Sequence, residues 1–549
     1  MNNIDIIVIL VFTALVFVCG MSFSKSGKNM KSFFAAGGNL PWWMSGLSLF
    51  MSFFSAGTFV VWGSIAYSNG LVAVTIQWTM CLAGIIIAFL IAPKWQRTKV
   101  LTVAQFITER LGAKTQKIYT YLFLIISMFT TGAFLYPVAK ILEVSTGVPI
   151  TTSIIFLGVL ILIYTAVGGL WAVIVTDVLQ FVVLTAAVLI VLPLSIDKID
   201  GLQNFVTLAP EGFFDLVNQE YSLGFMVAFG LYNLFFIAGN WAYVQRYTSV
   251  SNSKEAKKVG LLFGGLYLVS PIIWMLPPMI YSVLNPGLPK LADEGAYLLM
   301  CKDVLPIGML GLMLGGMVFA TSSSVNTTLN ISAGVLSNDI FKRLYPTTSS
   351  EKLVKVGKLA TVVLGLITIG IALLVPYMGG IVEVVMSLAA ITGGAMFLPP
   401  IWALFSNKLT GKSALMVTIC SLIINAFLKF LIPILFDFKL DRASEMMFGV
   451  GVPVVLLVMV ELYFNLTNQT AIDYTRYIKL KEDHHLEDEE EDEEDTNKRG
   501  ALVIGIGVLC TGILMLVLAV IAEKGQGSVT IIGSLVFILG GYIIYKNKA

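Results

Sequence analysis

The chain has 549 residues, of which 57% are hydrophobic and only 12% are charged. Its 35 basic and 33 acidic residues nearly cancel, and its mean hydropathy is +0.87. These values exclude a soluble globular protein of this size, and the long apolar runs predict an all-α polytopic membrane protein.

Fifteen apolar segments are candidate membrane spans, and thirteen or fourteen are alternative counts. They cover residues 4–22, 41–67, 71–93, 118–140, 149–167, 172–195, 222–244, 258–284, 303–335, 356–377, 380–405, 413–436, 446–465, 501–522 and 527–545. If the N-terminus is outside, the predicted internal loops hold 27 of the 35 Lys and Arg residues. The positive-inside rule therefore favours an external N-terminus and a cytoplasmic C-terminus in the cell membrane.

The first segment lacks a basic flank and a convincing cleavage site, so a retained helix is favoured over a signal peptide.

Near the other end of the chain, residues 482–495 contain eleven acids. Such a block of like charges repels itself, and we expect a disordered cytoplasmic loop over 466–500. A phosphate-binding loop of the ATPase type is absent from the sequence, and nucleic acid is not an expected partner.

The second segment, 41–67, contains Ser52, Ser55, Gly57 and Thr58 near its middle. Glycine lowers the cost of unwinding a helix, and unwinding frees carbonyl groups that can bind a cation. The alternative is that these small residues only allow close contact between helices. The segment is therefore predicted to be a broken span.

Asp177 lies about one and a half turns into the apolar segment 172–195. An unpaired carboxylate in lipid is costly, so Asp177 should face the bundle and meet a cation, a proton or a basic side chain. The alternative is that Asp177 lies close enough to the cytoplasmic surface to be wetted.

The seventh segment, 222–244, carries Asn233, Gly239 and Asn240, with Gln245 just beyond. These amides and a flexible residue predict a second broken span. It lies five segments after the first, so the two cross in opposite directions, as in an inverted repeat with both breaks at mid-membrane.

Hydroxyl and amide side chains cluster at positions 321–328 of the segment 303–335. They would offer neutral oxygen ligands to a desolvated cation such as Na⁺. The alternative is that these small residues promote helix packing and bond to carbonyls of their own helix. The sequence favours an ion site.

With these residues assembled, the chain resembles the sodium:solute symporter family, whose members share the LeuT-type fold. The resemblance covers roughly residues 1–440 and is carried by Ala320-x-x-Ser323-Ser324 with Leu329-Asn330, Asn338-Asp339, Gly168-Gly169-Leu170-Trp171 through Asp177 and Gln180, Gln245-Arg246, and Thr102-Val103 with Phe106.

The resemblance implies a five-plus-five inverted repeat over 41–406, flanked by an extra helix in 1–40. Peripheral helices would follow in 407–465, then the acidic loop 466–500 and a helix pair in 501–549.

The family's sodium site would use the hydroxyls of Ser323 and Ser324 and the carbonyl of Ala320. It would also use the backbone of the broken second segment at Met51 and Phe54. A second sodium ion, bound by some members, would use Asp177, Asn326 and Thr327, where Asn326 replaces a usual serine. Because of that replacement, the resemblance does not decide whether a second sodium ion binds.

For the solute, the resemblance and the polar pattern point to Thr58, Gln77, Asn233, Phe236 and Asn240. Sugar-transporting members carry a glutamate where this chain has Gln77, and their pocket lysine and glutamine are replaced by apolar or aromatic residues. These differences argue against hexose as the substrate, which is expected to be a small polar organic solute.

The resulting hypothesis is sodium-coupled symport of that solute by alternating access. A cation channel without solute coupling and a transporter-like sensor are the alternatives. An enzyme is not expected, because no histidine lies in a predicted span and no metal-type cluster exists in the sequence. Sodium would be the coupling ion, and no other metal or cofactor is expected.

Overall fold

A computed structural model describes residues 2–22, 38–100, 102–164, 170–289, 291–345, 347–467, 471–484, 494–522 and 524–547. A few side chains in these ranges, among them Ser323, Asn326 and Thr327, are outside the description. Every regular element in the described ranges is helical. The all-α prediction is confirmed.

In the described part of the chain, twelve helices precede residue 290, and most of them run through apolar sequence. They are α1 (Asn3–Met21), α2 (Trp42–Met51), α3 (Gly63–Asn69), α4 (Val72–Ile86), α5 (Val103–Leu111), α6 (Ala113–Thr146), α7 (Ile150–Tyr164), α8 (Leu170–Lys198), α9 (Leu202–Leu208), α10 (Leu223–Gly239), α11 (Trp241–Thr248) and α12 (Ser253–Leu284). A π-helical turn, Thr58–Trp62, leads into α3, and α4 continues through Ile87–Ile91 into Ala92–Thr98.

Nine further helices follow in the described residues after 290. They are α13 (Ala296–Val304), α14 (Met309–Gly334), α15 (Ser350–Leu374), α16 (Ile381–Ala403), α17 (Gly411–Ala426), α18 (Arg442–Leu466), α19 (Ile472–His484), α20 (Glu494–Ile521) and α21 (Gln526–Asn547). Short turns precede or extend several of them, at Asp293–Gly295, Val335–Phe341, Lys342–Leu344, Val375–Met378, Phe427–Leu431 and Ile432–Phe436.

Eleven helices in the described ranges are long and apolar enough to cross a membrane, or twelve if α10 and α11 form one bent span. The other predicted segments contain the α2–α3 pair and two shorter apolar helices, Ile150–Val159 and Met309–Ser322. A multi-pass helical architecture is confirmed, whereas the count of fifteen spans stays a prediction.

Two apolar cores organise these helices. The larger core includes residues of every helix from α2 to α19. The smaller core joins α1, α8, α14, α20 and α21, with Phe12, Ile174, Leu312 and Val508 all fully buried in it. The first helix and the last two therefore pack together against α8 and α14.

The expectation of disorder throughout 466–500 is wrong for Ile472–His484, which forms α19. Tyr477 of α19 is buried edge-to-face against Phe106 of α5, and Tyr474 lies over the guanidinium of Arg110. Asp473 accepts a hydrogen bond from the Gly411 amide at 3.1 Å. These contacts order a segment that composition alone marks as solvated, while residues 485–493 of the acidic block lie outside the described ranges.

Candidate functional site

The second predicted span is broken between α2 and the π-turn at Thr58. Ser55 N–H donates to the Thr58 hydroxyl at 3.1 Å, and that hydroxyl donates in turn to the Phe53 carbonyl. Gly57 itself has ordinary helical dihedrals, with φ −57°. The break therefore lies at the serines before Gly57, and the Thr58 side chain replaces the missing backbone bonds.

The predicted carbonyl ligands Met51 and Phe54 lie within this break. In a continuous helix they would accept from Ser55 and Thr58. Here Ser55 N–H bonds to the Thr58 side chain, and Thr58 N–H bonds to the Ser55 carbonyl at 3.0 Å. The usual donors of both carbonyls are thus engaged elsewhere, which leaves these oxygens available for another partner.

Helix α14 contacts the break directly. Ala56 N–H, the first amide after it, donates to the Thr321 hydroxyl at 3.0 Å, across 265 residues of sequence. The same hydroxyl donates to the Met317 carbonyl at 2.9 Å. Thr321 is fully buried and immediately follows Ala320. The start of the hydroxyl cluster therefore lies beside the broken span.

The remaining cluster hydroxyls bond mainly within α14. Ser322 donates to the Val318 carbonyl at 2.6 Å and Thr328 to the Ser324 carbonyl at 3.0 Å. Ser324 reaches the Ala320 carbonyl only at 3.5 Å, the weak limit for a hydrogen bond. The side chains of Ser323, Asn326 and Thr327 lie outside the described part of the chain.

Thr321→Val tests the contact between α14 and the break. The substitution keeps the side-chain shape but leaves the Ala56 amide without its acceptor, which costs about 1–3 kcal/mol. We expect a lower unfolding midpoint in detergent than for the matched variant Thr328→Val, whose hydroxyl donates to the Ser324 carbonyl of its own helix. Equal midpoints for the two variants would contradict this role for Thr321.

Asp177 is buried rather than wetted, with 6% of its surface exposed. Its Oδ2 accepts from the Ser48 hydroxyl at 2.6 Å and lies 3.9 Å from Arg246 Nη2. Arg246 Nε also donates to Ser48 at 3.3 Å. The expectation that Asp177 faces the bundle is confirmed, and the basic side chain it meets is Arg246.

The Ser48–Asp177–Arg246 cluster connects three elements. Ser48 belongs to α2, before the first break, Asp177 belongs to α8, and Arg246 belongs to α11. Arg246 Nη1 donates to the Ala242 carbonyl at 2.7 Å, which holds the guanidinium against its own helix. These contacts fasten the two broken spans to α8.

The second predicted break is also present. Helices α10 and α11 meet at Asn240 with a bend of 63°. The Asn240 side chain accepts from Ala242 N–H at 3.0 Å and so caps α11. A Cβ on Gly239 would lie 2.8 Å from the Phe397 carbonyl, so glycine is required here for close packing against α16.

Aromatic rings bring the two breaks together. Phe53, inside the first break, lies 4.8 Å from Tyr243 and 6.1 Å from Phe236, measured between ring centroids. Phe236 also contacts Phe397 of α16 at 5.3 Å. The predicted substrate residue Phe236 therefore lies in an aromatic cluster between the broken spans.

The predicted polar substrate residues have different surroundings. The Thr58 and Asn240 side chains stabilise the two breaks, and Asn233 donates to Thr79 of α4 at 2.9 Å. Gln77 is 1% exposed, and within the described residues neither its amide nitrogen nor its amide oxygen has a hydrogen-bond partner. A buried amide without partners is costly, which makes Gln77 the strongest candidate for contact with a polar ligand.

A second cluster of acids lies at the other end of the first broken span. Asp293 accepts from Ser64 of α3 at 2.7 Å. Glu294 accepts from Ile381 N–H at 2.8 Å and from the Tyr136 hydroxyl at 2.9 Å. Burial raises the pKa of Glu294 above its ordinary value, while the bonds from Ile381 and Tyr136 partly oppose that shift. This turn ties α3, α6 and α16 together.

Three residues of the site were not assigned a role from the sequence. Ser48 and Arg246 gain their importance from Asp177, which is far from both along the chain, so no spacing indicates the pairing. Thr321 belongs to the predicted hydroxyl cluster, and its position beside Ala320 was the available signal.

Comparisons with known proteins agree with this geometry. The chain is 28% identical over 473 residues to the sodium/glucose cotransporter of Vibrio parahaemolyticus, covering 78% of this chain and 86% of that protein. It is 25% identical over 429 residues to the sodium/sialic acid symporter SiaT of Proteus mirabilis, covering 75% and 86%.

Solved structures share the fold. A substrate-bound, outward-open Na⁺-coupled sialic acid symporter aligns with a TM-score of 0.70 and 22% identity, over 84% of this chain and 98% of that one. A sequence model of the sodium:solute symporter family matches residues 33–421. The chain therefore belongs to the sodium:solute symporter family of Na⁺-coupled transporters, has a LeuT-like fold, and is a transporter that uses sodium as its coupling ion rather than an enzyme.

Proposed function

We propose that this protein carries a small polar organic solute across the membrane together with Na⁺ by alternating access. The contact that carries this proposal is the hydrogen bond from Ala56 N–H to Thr321. This hydrogen bond supports the proposal that the hydroxyl cluster after Ala320 lies close to the carbonyl groups of the first break. An inward electrical driving force of about 2.3 kcal/mol per charge at 100 mV would add to the sodium gradient.

The proposed sodium ligands are the Ala320, Met51 and Phe54 carbonyls and the Ser323 and Ser324 hydroxyls. The Ser324 hydroxyl lies 3.5 Å from the Ala320 carbonyl oxygen. Two oxygens that bind one ion at right angles, each at about 2.4 Å as for Ca²⁺, would be about 3.4 Å apart. This spacing fits two ligands of one ion better than a strong hydrogen bond.

A second sodium ion at Asp177, Asn326 and Thr327 is the finer part of the proposal. The Asp177 carboxylate already bonds to Ser48 and faces Arg246. A second ion would therefore compete with Arg246 for the same carboxylate. Such competition would link ion binding to release of the cluster that joins α2, α8 and α11.

The proposed solute contacts are Gln77, Asn233, Phe236, Thr58 and Asn240. Among the described residues the Gln77 amide has no partner for its donor or its acceptor, which suits a neutral solute carrying hydroxyl or amide groups. The Thr58 and Asn240 side chains are engaged at the breaks, so their contribution would be to shape the pocket. Phe236 would cover the solute with its ring.

Alternating access would use the two clusters at opposite ends of the first broken span. Ser48, Asp177 and Arg246 close one end, and Asp293 with Glu294 closes the other. Ion and solute binding would favour opening of one cluster over the other, because a ligand shifts an equilibrium only through different affinities for the two states.

The finer architecture belongs to the same proposal. Residues 41–406 would form the five-plus-five inverted repeat, with both breaks at mid-membrane. The extra helix of 1–40, the helices of 407–465 and the final pair in 501–549 would surround it. The positive-inside pattern supports an external N-terminus and a cytoplasmic segment 466–500 in the cell membrane.

A thermal-shift screen of solutes tests both coupling and substrate. The purified chain is heated with each solute in NaCl and, separately, in KCl at equal ionic strength. We expect one neutral polar solute to raise the melting temperature in Na⁺ but not in K⁺, since ligands stabilise the state they bind. Stabilisation by solutes without a Na⁺ requirement would contradict sodium coupling.

A further inference from the structure

The N-terminal helix α1 runs beside the helix that carries the predicted ion ligands. The family match begins at residue 33, so α1 lies outside it. Asp5 of α1 is nevertheless 4% exposed. Its Oδ1 accepts from Gly308 N–H at 2.8 Å and from Gly311 N–H at 3.1 Å. Both amides are at the start of α14.

The first amides of a helix have no acceptor within the helix, and they form the positive end of its dipole. A carboxylate is therefore a strong partner for them, because its bonds are charge-assisted. The other Asp5 oxygen accepts from Asn2 N–H at 2.9 Å. One carboxylate thus holds the beginnings of α1 and α14 together.

Packing extends this contact towards the ion ligands. A Cβ on Gly311 would lie 2.3 Å from the Asp5 carbonyl oxygen, so the two backbones are in close contact. Further along, Phe12 packs edge-to-face on Phe319 at 6.3 Å. Phe319 immediately precedes Ala320. The two helices run side by side in the same direction from Asp5 to the start of the predicted site.

We propose that Asp5 is a positioning residue for sodium binding: by anchoring the start of α14, it sets the position of Ala320 and Ser324 relative to the Met51–Phe54 break. The inference rests on the proposed sodium site. It gives α1 a role in ion affinity, although α1 supplies no ligand itself. Loss of the anchor would let α14 shift along or around its axis, which changes the ligand distances without removing a ligand.

Sodium titration of thermal stability tests this role without a known solute. Full-length protein is melted at increasing NaCl, with KCl keeping the ionic strength constant. We expect Asp5→Ala to raise the Na⁺ concentration for half-maximal stabilisation by about tenfold. Asp5→Asn keeps an acceptor oxygen and should restore most of the affinity. Thr13→Ala is the matched control on α1, because the Thr13 hydroxyl donates to the Ile9 carbonyl of the same helix.

A second variant keeps the test decisive if Asp5→Ala does not fold. Gly311→Ala leaves Asp5 intact but forces α1 away from α14, and it should also raise the half-maximal Na⁺ concentration. Variants that melt at a lower temperature yet keep the wild-type Na⁺ dependence would overturn the inference, since Asp5 would then be merely structural. A wild-type protein without Na⁺-specific stabilisation would instead remove the proposed sodium site, and this inference with it.

Discussion

Ser324→Ala is expected to abolish sodium-dependent uptake. The substitution removes one proposed sodium ligand, and alanine offers no oxygen in its place. Losing such an oxygen costs about 2–3 kcal/mol, or roughly two orders of magnitude in affinity. Uptake of the solute identified by thermal shift, measured in reconstituted vesicles over a range of Na⁺ concentrations, checks this expectation. Ser323→Ala is expected to behave in the same way.

Ser322→Ala is the matched control for this experiment. Ser322 is the neighbouring serine in α14, but its hydroxyl donates to the Val318 carbonyl at 2.6 Å and belongs to no proposed ion site. We expect its sodium dependence to remain close to that of the wild type. If Ser323→Ala and Ser324→Ala also transported at wild-type rates and Na⁺ affinities, the sodium site would have to lie elsewhere.

The second large effect is expected at Arg246. Arg246→Gln leaves the Asp177 carboxylate buried opposite a neutral side chain. Removing one partner of a buried pair costs about 3–5 kcal/mol, although the 3.9 Å separation of this pair favours the lower end. Chemical unfolding in detergent should therefore show a clear loss of stability. The double variant Asp177→Asn with Arg246→Gln should recover part of it, because no uncompensated charge remains.

Lys258→Gln serves as the comparison, since Lys258 pairs with Glu255 at 2.7 Å but is half exposed. An exposed pair of this kind contributes at most about 1 kcal/mol. A loss of stability in Arg246→Gln no larger than that in Lys258→Gln would argue against a stabilising cluster. Additive effects of the Asp177 and Arg246 substitutions would do the same, because residues that interact are expected to be non-additive.

Several features of the site were predictable because they depend on local chemistry. Serine and threonine in the second span, and Gly239 with Asn240 in the seventh, indicated two broken helices, and both breaks are present. The burial of Asp177 was predictable because an unpaired carboxylate facing lipid is costly in free energy. The details differed: Gly57 is helical, and the Thr58 hydroxyl stabilises the first break instead.

Other features depend on residues that are far apart in the chain. Nothing near Asp177 indicates Arg246, and nothing near Ala56 indicates Thr321, because each pair forms only when separate helices pack. The helix Ile472–His484 was missed for the same reason. Its order comes from burial of Tyr477 against Phe106, whereas its composition indicates only a charged, solvated segment.

Hydropathy and charge bias were sufficient to predict a helical, multi-pass membrane protein, because the bilayer restricts an apolar chain to few architectures. The family motifs added the expectation of sodium-coupled transport. Folding was needed to bring Thr321 to the first break, Arg246 to Asp177 and Asp5 to the start of α14. Hydrogen bonds and ion pairs act over a few ångströms, so these partners are defined by the packing of helices and leave no trace in sequence spacing.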